Sequence, residues 1–166
     1  MRQLVYVDLG IPDAKAFWTT VALPSVQAFR TGATTLTSLM AAWSLWHMNE
    51  WLWYDTHPGE TARVSQAYKD FTAGHTSACP DLLLLRDVAE ASKHRALSRK
   101  GIAVDKVTPT LGRHGRGGYN VVDAVPVIGS GIPQHLLYCK DGTAFWIADV
   151  IERSAAYWQN GLDSGG

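Results

Sequence analysis

The chain has 166 residues, 46% hydrophobic and 18% charged, which suffices for one well-buried core and is short for two, so a single domain spanning 1–166 is expected. Lys plus Arg and Asp plus Glu both total 15, a balance by which the molecule as a whole points to neither nucleic acid nor membrane as a partner. Two isolated cysteines, Cys79 and Cys139, exclude a disulfide scaffold and a cysteine-rich zinc site, and they fit a reducing compartment.

The opening MRQLVYVDLGIPD meets a Gly, a Pro and two Asp before any apolar run of useful length, so no signal peptide is expected. A first helix is predicted over about 12–22, with Ala14, Phe17, Trp18 and Val21 on one face, Pro12 in its first turn and Pro24 ending it. Ser25 then caps a long helix to about Asp55, stopped by THPG. Along it Leu36, Leu39, Met40, Trp43, Trp46, His47, Glu50, Trp53 and Tyr54 form one apolar arc, while Leu45, Met48 and Leu52 make the opposite side apolar too. That helix is expected at the centre of a bundle. Residues 31–49 carry no charge, yet Thr or Ser at 31, 34, 35, 37, 38 and 44, with His47 and Asn49, make the segment too polar for a lipid span. A soluble cytoplasmic protein without membrane contact follows as the expectation.

Val64, Ala67, Tyr68 and Phe71 mark a third helix closed by Gly74, and CPDLLLL opens a fourth, capped by Asp81 and running to about Leu97. After Gly101, the stretches IAVDKVTP, YNVVDAVPVI and HLLYCKDGTAFWI are rich in β-branched and aromatic residues, and Asp141-Gly142 signals a tight hairpin turn. A last helix over about 148–160 presents Val150, Ile151, Ser154, Tyr157 and Trp158 and ends at Gly161, with a loose LDSGG tail. The fold class is α+β: mainly an α-helical bundle (about 12–97 plus 148–160), with a small antiparallel β-hairpin sheet (about 102–147) inserted before the C-terminal helix.

Four places carry candidate chemistry. In WHMNEW, His47 and Glu50 share a helical face in the middle of the first apolar arc, flanking Trp43. Burial there demands partners, because an ionised carboxylate in an apolar interior is costly unless paired. The pair reads as a buried polar network fixing helix register, with an alternative as a metal or acid-base site completed by Asp55 or His57. In RDVAEASKHRALSRK, a projection turns Leu82, Leu84, Leu85, Val88, Ala89, Ala91, Ser92 and Ala96 inward, and sets Asp87, Glu90 and His94 on the outer side. Glu90 could orient a charged His94 for proton transfer, or the two form an exposed pair on a solvated face.

A bundle whose later helix carries an Arg…Lys-His segment resembles the HEPN-like helical proteins of prokaryotic defence and toxin systems. The resemblance covers about Asp81 to Leu97, with Asp87, Val88 and Ala89 at the positions of the family's arginine and Arg86 one residue beyond. It implies an RNA-cleaving site, usually across a dimer, with His94 as the acid-base group and Arg95 or Arg86 steadying phosphate.

Between residues 93 and 116, Lys93, Arg95, Arg99, Lys100, Lys106, Arg113 and Arg116 stand against Asp105 alone, a net of +6 that leaves −6 for the rest of a neutral chain. The Gly-rich LGRHGRGGYN sets Arg113, His114 and Arg116 beside Tyr119, a composition suited to phosphate backbones and exposed bases, or to an acidic protein surface. VIGSGIP, around Ser130, has the wrong spacing for a nucleophile elbow and reads as a turn. Trp51 projects away from both arcs and marks a candidate interface, as in a homodimer. The sequence thus leads to a non-catalytic binding protein, whose basic surface at residues 93–116 contacts nucleic acid (RNA) or an acidic protein partner, with no cofactor. The alternatives are a HEPN-like ribonuclease using His94, Glu90 and Arg95, and a metal-binding bundle using His47, Glu50 and His57.

Overall fold

The computed structural model describes residues 10–60, 65–92, 104–111 and 133–164. In chain order these form α1 (Ala14–Phe17), a π-helical turn (Trp18–Ala22), α2 (Leu23–Thr31), α3 (Thr35–Thr56), α4 (Gln66–Ala78), α5 (Asp81–Ala91), β1 (Val104–Leu111), β2 (Pro133–Cys139), β3 (Ala144–Trp146) and α6 (Ile147–Ser164). The α+β class expected from the sequence is the observed one. No described helix is long and apolar enough to cross a membrane.

The first helix does not end at Pro24. The π turn delivers Pro24 into the first turn of α2, where a missing N–H is tolerated, and the chain stays helical to Thr31. Two hydroxyls bond back along this stretch: Thr20 donates to the Ala16 oxygen at 2.6 Å and Ser25 to the Val21 oxygen at 2.7 Å. Ser25 therefore lies inside α2 and caps nothing. The break falls at residues 32–34, and Thr34 caps α3: its hydroxyl accepts from the Thr37 N–H at 3.1 Å, while the Thr37 hydroxyl accepts from the Thr34 N–H at 2.8 Å. Two predicted helix ends also move. Gly74 lies within α4 and Gly161 within α6, a cost of about 1 kcal/mol each that tertiary packing overrides. Asp81 is the first residue of α5 and pairs with Arg153 of α6 at 2.6 Å, so its role is a helix-to-helix tie and not a cap.

α3 is the hub, packed on α1, α2, α4, α5 and α6. Its Leu45 and Met48 join Val26, Leu82, Leu85, Val150 and Ile151 in one core cluster, and the Trp158 indole N–H donates to the Leu45 carbonyl at 2.9 Å. The three strands form one antiparallel sheet in the order β1-β2-β3, with an irregular register between Val104 and Lys106. β2 and β3 are joined through the predicted turn. Gly142 sits at φ +86°, in the left-handed region, and the Asp141 carboxylate accepts from the Thr143 N–H at 2.9 Å. The predicted strand YNVVDAVPVI lies outside the described residues. His135 of β2, buried, ties the sheet to α3: its Nε2 lies 3.2 Å from the Thr35 hydroxyl and its Nδ1 3.5 Å from that of Ser38.

Candidate functional site: the outer face of α3

Both sides of α3 are apolar in sequence, and one of them is buried. Ala41, Ala42 and Ser44 alternate with Leu45 and Met48 on the buried side, where small side chains let the neighbouring helices approach closely. Other large residues fall on the opposite side. Leu36 is 68% exposed, Met40 46% and Tyr54 39%, and with Trp43, His47 and Glu50 they run along one line of the helix at alternating four- and three-residue steps. Trp43 on that line, and Leu39 and Trp46 that flank it, are partly buried against the core. His47 and Glu50, expected in the middle of the first apolar arc, lie on the less buried side of α3, with side chains 19% and 29% exposed.

On that face the pair is well formed. His47 Nδ1 lies 2.7 Å from a Glu50 carboxylate oxygen, and the Trp43 ring leans on the imidazole at 4.5 Å. His47 Nε2 is shielded from solvent and has no hydrogen-bond partner among the described residues. Tyr68 of α4, which the sequence reading used only as a packing residue, belongs to the same neighbourhood. Burial, with the added charge of Glu50 and the nearby Tyr54 hydroxyl, pushes the Tyr68 phenol up to about 12.

The further ligands proposed for His47 and Glu50 are engaged elsewhere. The Asp55 carboxylate accepts from the Ala14 N–H at 2.8 Å, serving the first turn of α1. His57 stacks flat on Trp53 at 3.5 Å, with its Nδ1 2.8 Å from the Thr56 hydroxyl. Among the described residues no group of three or more His, Cys, Asp or Glu is placed to share a metal ion. Trp51, expected to project away from both apolar arcs and to mark a candidate interface, stacks on Phe17 at 4.9 Å and 16°.

α5 departs from its projection as well. Asp87, expected outside with Glu90 and His94, is fully buried, and Arg86 holds it with Nε and Nη2 both 3.1 Å from one carboxylate oxygen. The sheet explains this: β1 packs on α5, and the Asp87 charge reaches Cys139 of β2, where it adds to burial in pushing the thiol up. A single-helix projection has no knowledge of the sheet. Glu90 is half-buried, whereas Ala91 and Ser92, expected inward, are exposed. Lys93, His94, Arg95, Arg99, Lys100, Arg113, His114, Arg116, Tyr119 and Ser130 lie outside the described residues, as does the Lys106 side chain, whose backbone pairs with Tyr138 in the sheet.

Together these features define a small α+β bundle whose central helix keeps one apolar side at the surface. Comparison with protein-family models, with curated proteins and with solved structures yields no match.

Proposed function

We propose that the protein works by binding a macromolecule, and that the partner is a protein presenting an acidic surface beside an apolar strip. The observation that carries this reading is the apolar line Leu36, Met40, Trp43 and Tyr54 on the outer face of α3. Contiguous apolar surface marks interaction sites, and Trp, Tyr and Met are the residues enriched in the cores of protein interfaces. A nucleic-acid interface asks instead for cations on the contacting face. The only charged side chain on this line is Glu50, paired with His47. The basic segment at residues 93–116 then has a complementary part, since clustered Lys and Arg speed encounter with an acidic partner and discriminate against a basic one.

Two double variants test this. The partner recovered on the native chain is purified and titrated against Leu36→Glu/Met40→Glu and Arg113→Glu/Arg116→Glu. Loss of two anchors on the apolar strip should weaken binding by about 30-fold or more, with little dependence on salt. Charge reversal should mainly slow association, and more so at low salt. Labelled single-stranded RNA provides the contrast: retention that falls steeply with salt and ignores Leu36→Glu/Met40→Glu would replace the protein partner with nucleic acid.

A further inference from the structure

At the end of the bundle where the C-terminal turns of α3 and α6 meet α4, a pocket of 390 Å³ opens. Its volume lies within the range of small-molecule sites. Leu52 and Thr56 supply one wall, Phe71 and His75 another, and Tyr157 and Trp158 a third. The residues that line it include no Asp, Glu, Lys or Arg among those described. Neighbouring rings meet at edge-on or tilted angles: Phe71 and His75 at 4.6 Å and 72°, His75 and Trp158 at 4.9 Å and 51°, Tyr157 and Trp158 at 4.9 Å and 62°.

One polar dyad lies within this aromatic wall. His75 Nδ1 is 2.7 Å from the Tyr157 hydroxyl. Burial pushes the His75 imidazole below its ordinary value, and burial with the charge of Cys79 pushes the Tyr157 phenol above its own, so both are neutral at pH 7. In the tautomer that carries the ring hydrogen on Nε2, the phenol donates to Nδ1. In that arrangement the second lone pair of the Tyr157 oxygen remains as an acceptor, beside the Nε2 hydrogen and the Asn160 carboxamide of the lining.

We propose that this pocket binds a small, uncharged, planar aromatic molecule carrying a hydrogen-bond donor, of which indole and phenol are the simplest representatives. A flat ring fits the edge-on arrangement of the walls, where aromatic pairs at such separations attract. Its donor meets the Tyr157 oxygen. A charged analogue would leave water for a lining that offers no opposite charge, and so should be rejected.

The test is a titration of the full chain with indole, phenol, benzoate and benzylammonium, followed by calorimetry and by saturation-transfer NMR observed on the ligand. Indole and phenol should saturate, and the two charged analogues should bind at least about tenfold more weakly. Gly161→Leu should abolish binding, because Gly161 lines the pocket and a Cβ built there meets nothing within 4 Å, so the new side chain can occupy the site without disturbing the helix. His75→Phe keeps a ring in place but frees the phenol, and should weaken indole about three- to tenfold. The absence of saturation up to the solubility limit would overturn the site, as would benzoate binding as tightly as indole, or Gly161→Leu binding unchanged. An unaltered affinity in His75→Phe would overturn the role of the dyad.

Discussion

Leu45→Ala and Leu36→Ala remove the same atoms from the same helix on opposite sides, and so measure which side of α3 faces the core. Leu45 is 0% exposed, and it sits in the cluster with Met48, Leu85 and Trp158. Truncating a leucine in such a place costs about 2–5 kcal/mol, the transfer free energy of the lost methyls plus the cavity they leave. Against a typical domain stability of about 5–15 kcal/mol, that is a large fraction. Leu36 is 68% exposed, so it buries about a third of its surface. Full burial of a leucine is worth about 1.5–3 kcal/mol, which leaves under about 1 kcal/mol for Leu36, partly offset by the better helix propensity of Ala. Urea unfolding followed by tryptophan fluorescence, with equal slopes for native and variant chains, reads both values. The difference should exceed about 1 kcal/mol. Equal losses in the two variants would refute the assignment of the faces.

Two further outcomes follow from burial. His75 and His135 both have imidazoles pushed below the ordinary 6.5 by burial. The unfolded chain therefore takes up protons first as the pH falls: stability is complete above about pH 6.5 and declines below it, through the interval down to the folded values. The urea midpoint should drop between pH 7.5 and pH 5.5, and His75→Phe should flatten part of that slope; an identical slope in the variant contradicts the assignment. The third outcome concerns two ion pairs. Arg86→Ala strips both guanidinium hydrogen bonds from the buried Asp87 carboxylate and should cost on the order of 3 kcal/mol. Arg30→Ala breaks a pair with Glu152 whose side chains are 48% and 44% exposed, and should cost under about 1 kcal/mol. Thermal melts of the two variants that shift equally would count against the burial of Asp87.

The sequence made the α+β class legible through two periodicities and one turn. Leu82, Leu85 and Val88 repeat at helical spacing and are buried as expected, and Asp141-Gly142 makes the hairpin that joins β2 to β3. Helix ends were less legible, for identifiable reasons. The Thr34–Thr37 capping box has Thr where Glu or Gln is the usual third residue, so the start of α3 carried a weak signal and Ser25 took its place in the reading. Pro24 looked like a stop because nothing in a hydrophobic pattern announces a π turn upstream. Asp87 looked exposed because charge outweighed position, while the sheet that covers it comes from strands at residues 104–111 and 133–139. Pairing across such separations leaves no local trace. The His75–Tyr157 contact, 82 residues apart, is of the same kind.

The uncharged run at residues 31–49 is the point where sequence and structure meet on function. A helix apolar all round belongs either in a core enclosed on every side or at a surface that something else covers. α3 is enclosed over the half that carries Ala41, Ala42, Leu45 and Met48, and open over the half that carries Leu36, Met40 and Tyr54. Packing the core requires nothing of the open half: Lys or Gln at 36, 40 and 54 would leave Leu45 and its neighbours untouched and would lower the exposed apolar area. Large side chains there are therefore unexplained by packing of the core, and the proposed partner contact would account for them. The His47–Glu50 pair interrupts the apolar line between Trp43 and Tyr54, and a polar pair within an apolar seam penalises misaligned partners, because any register that sets an apolar group on Glu50 strips its water without replacement. On the proposed binding reading, affinity from the rings and register from the pair would be separable contributions, and a short helical face could then be both adhesive and selective.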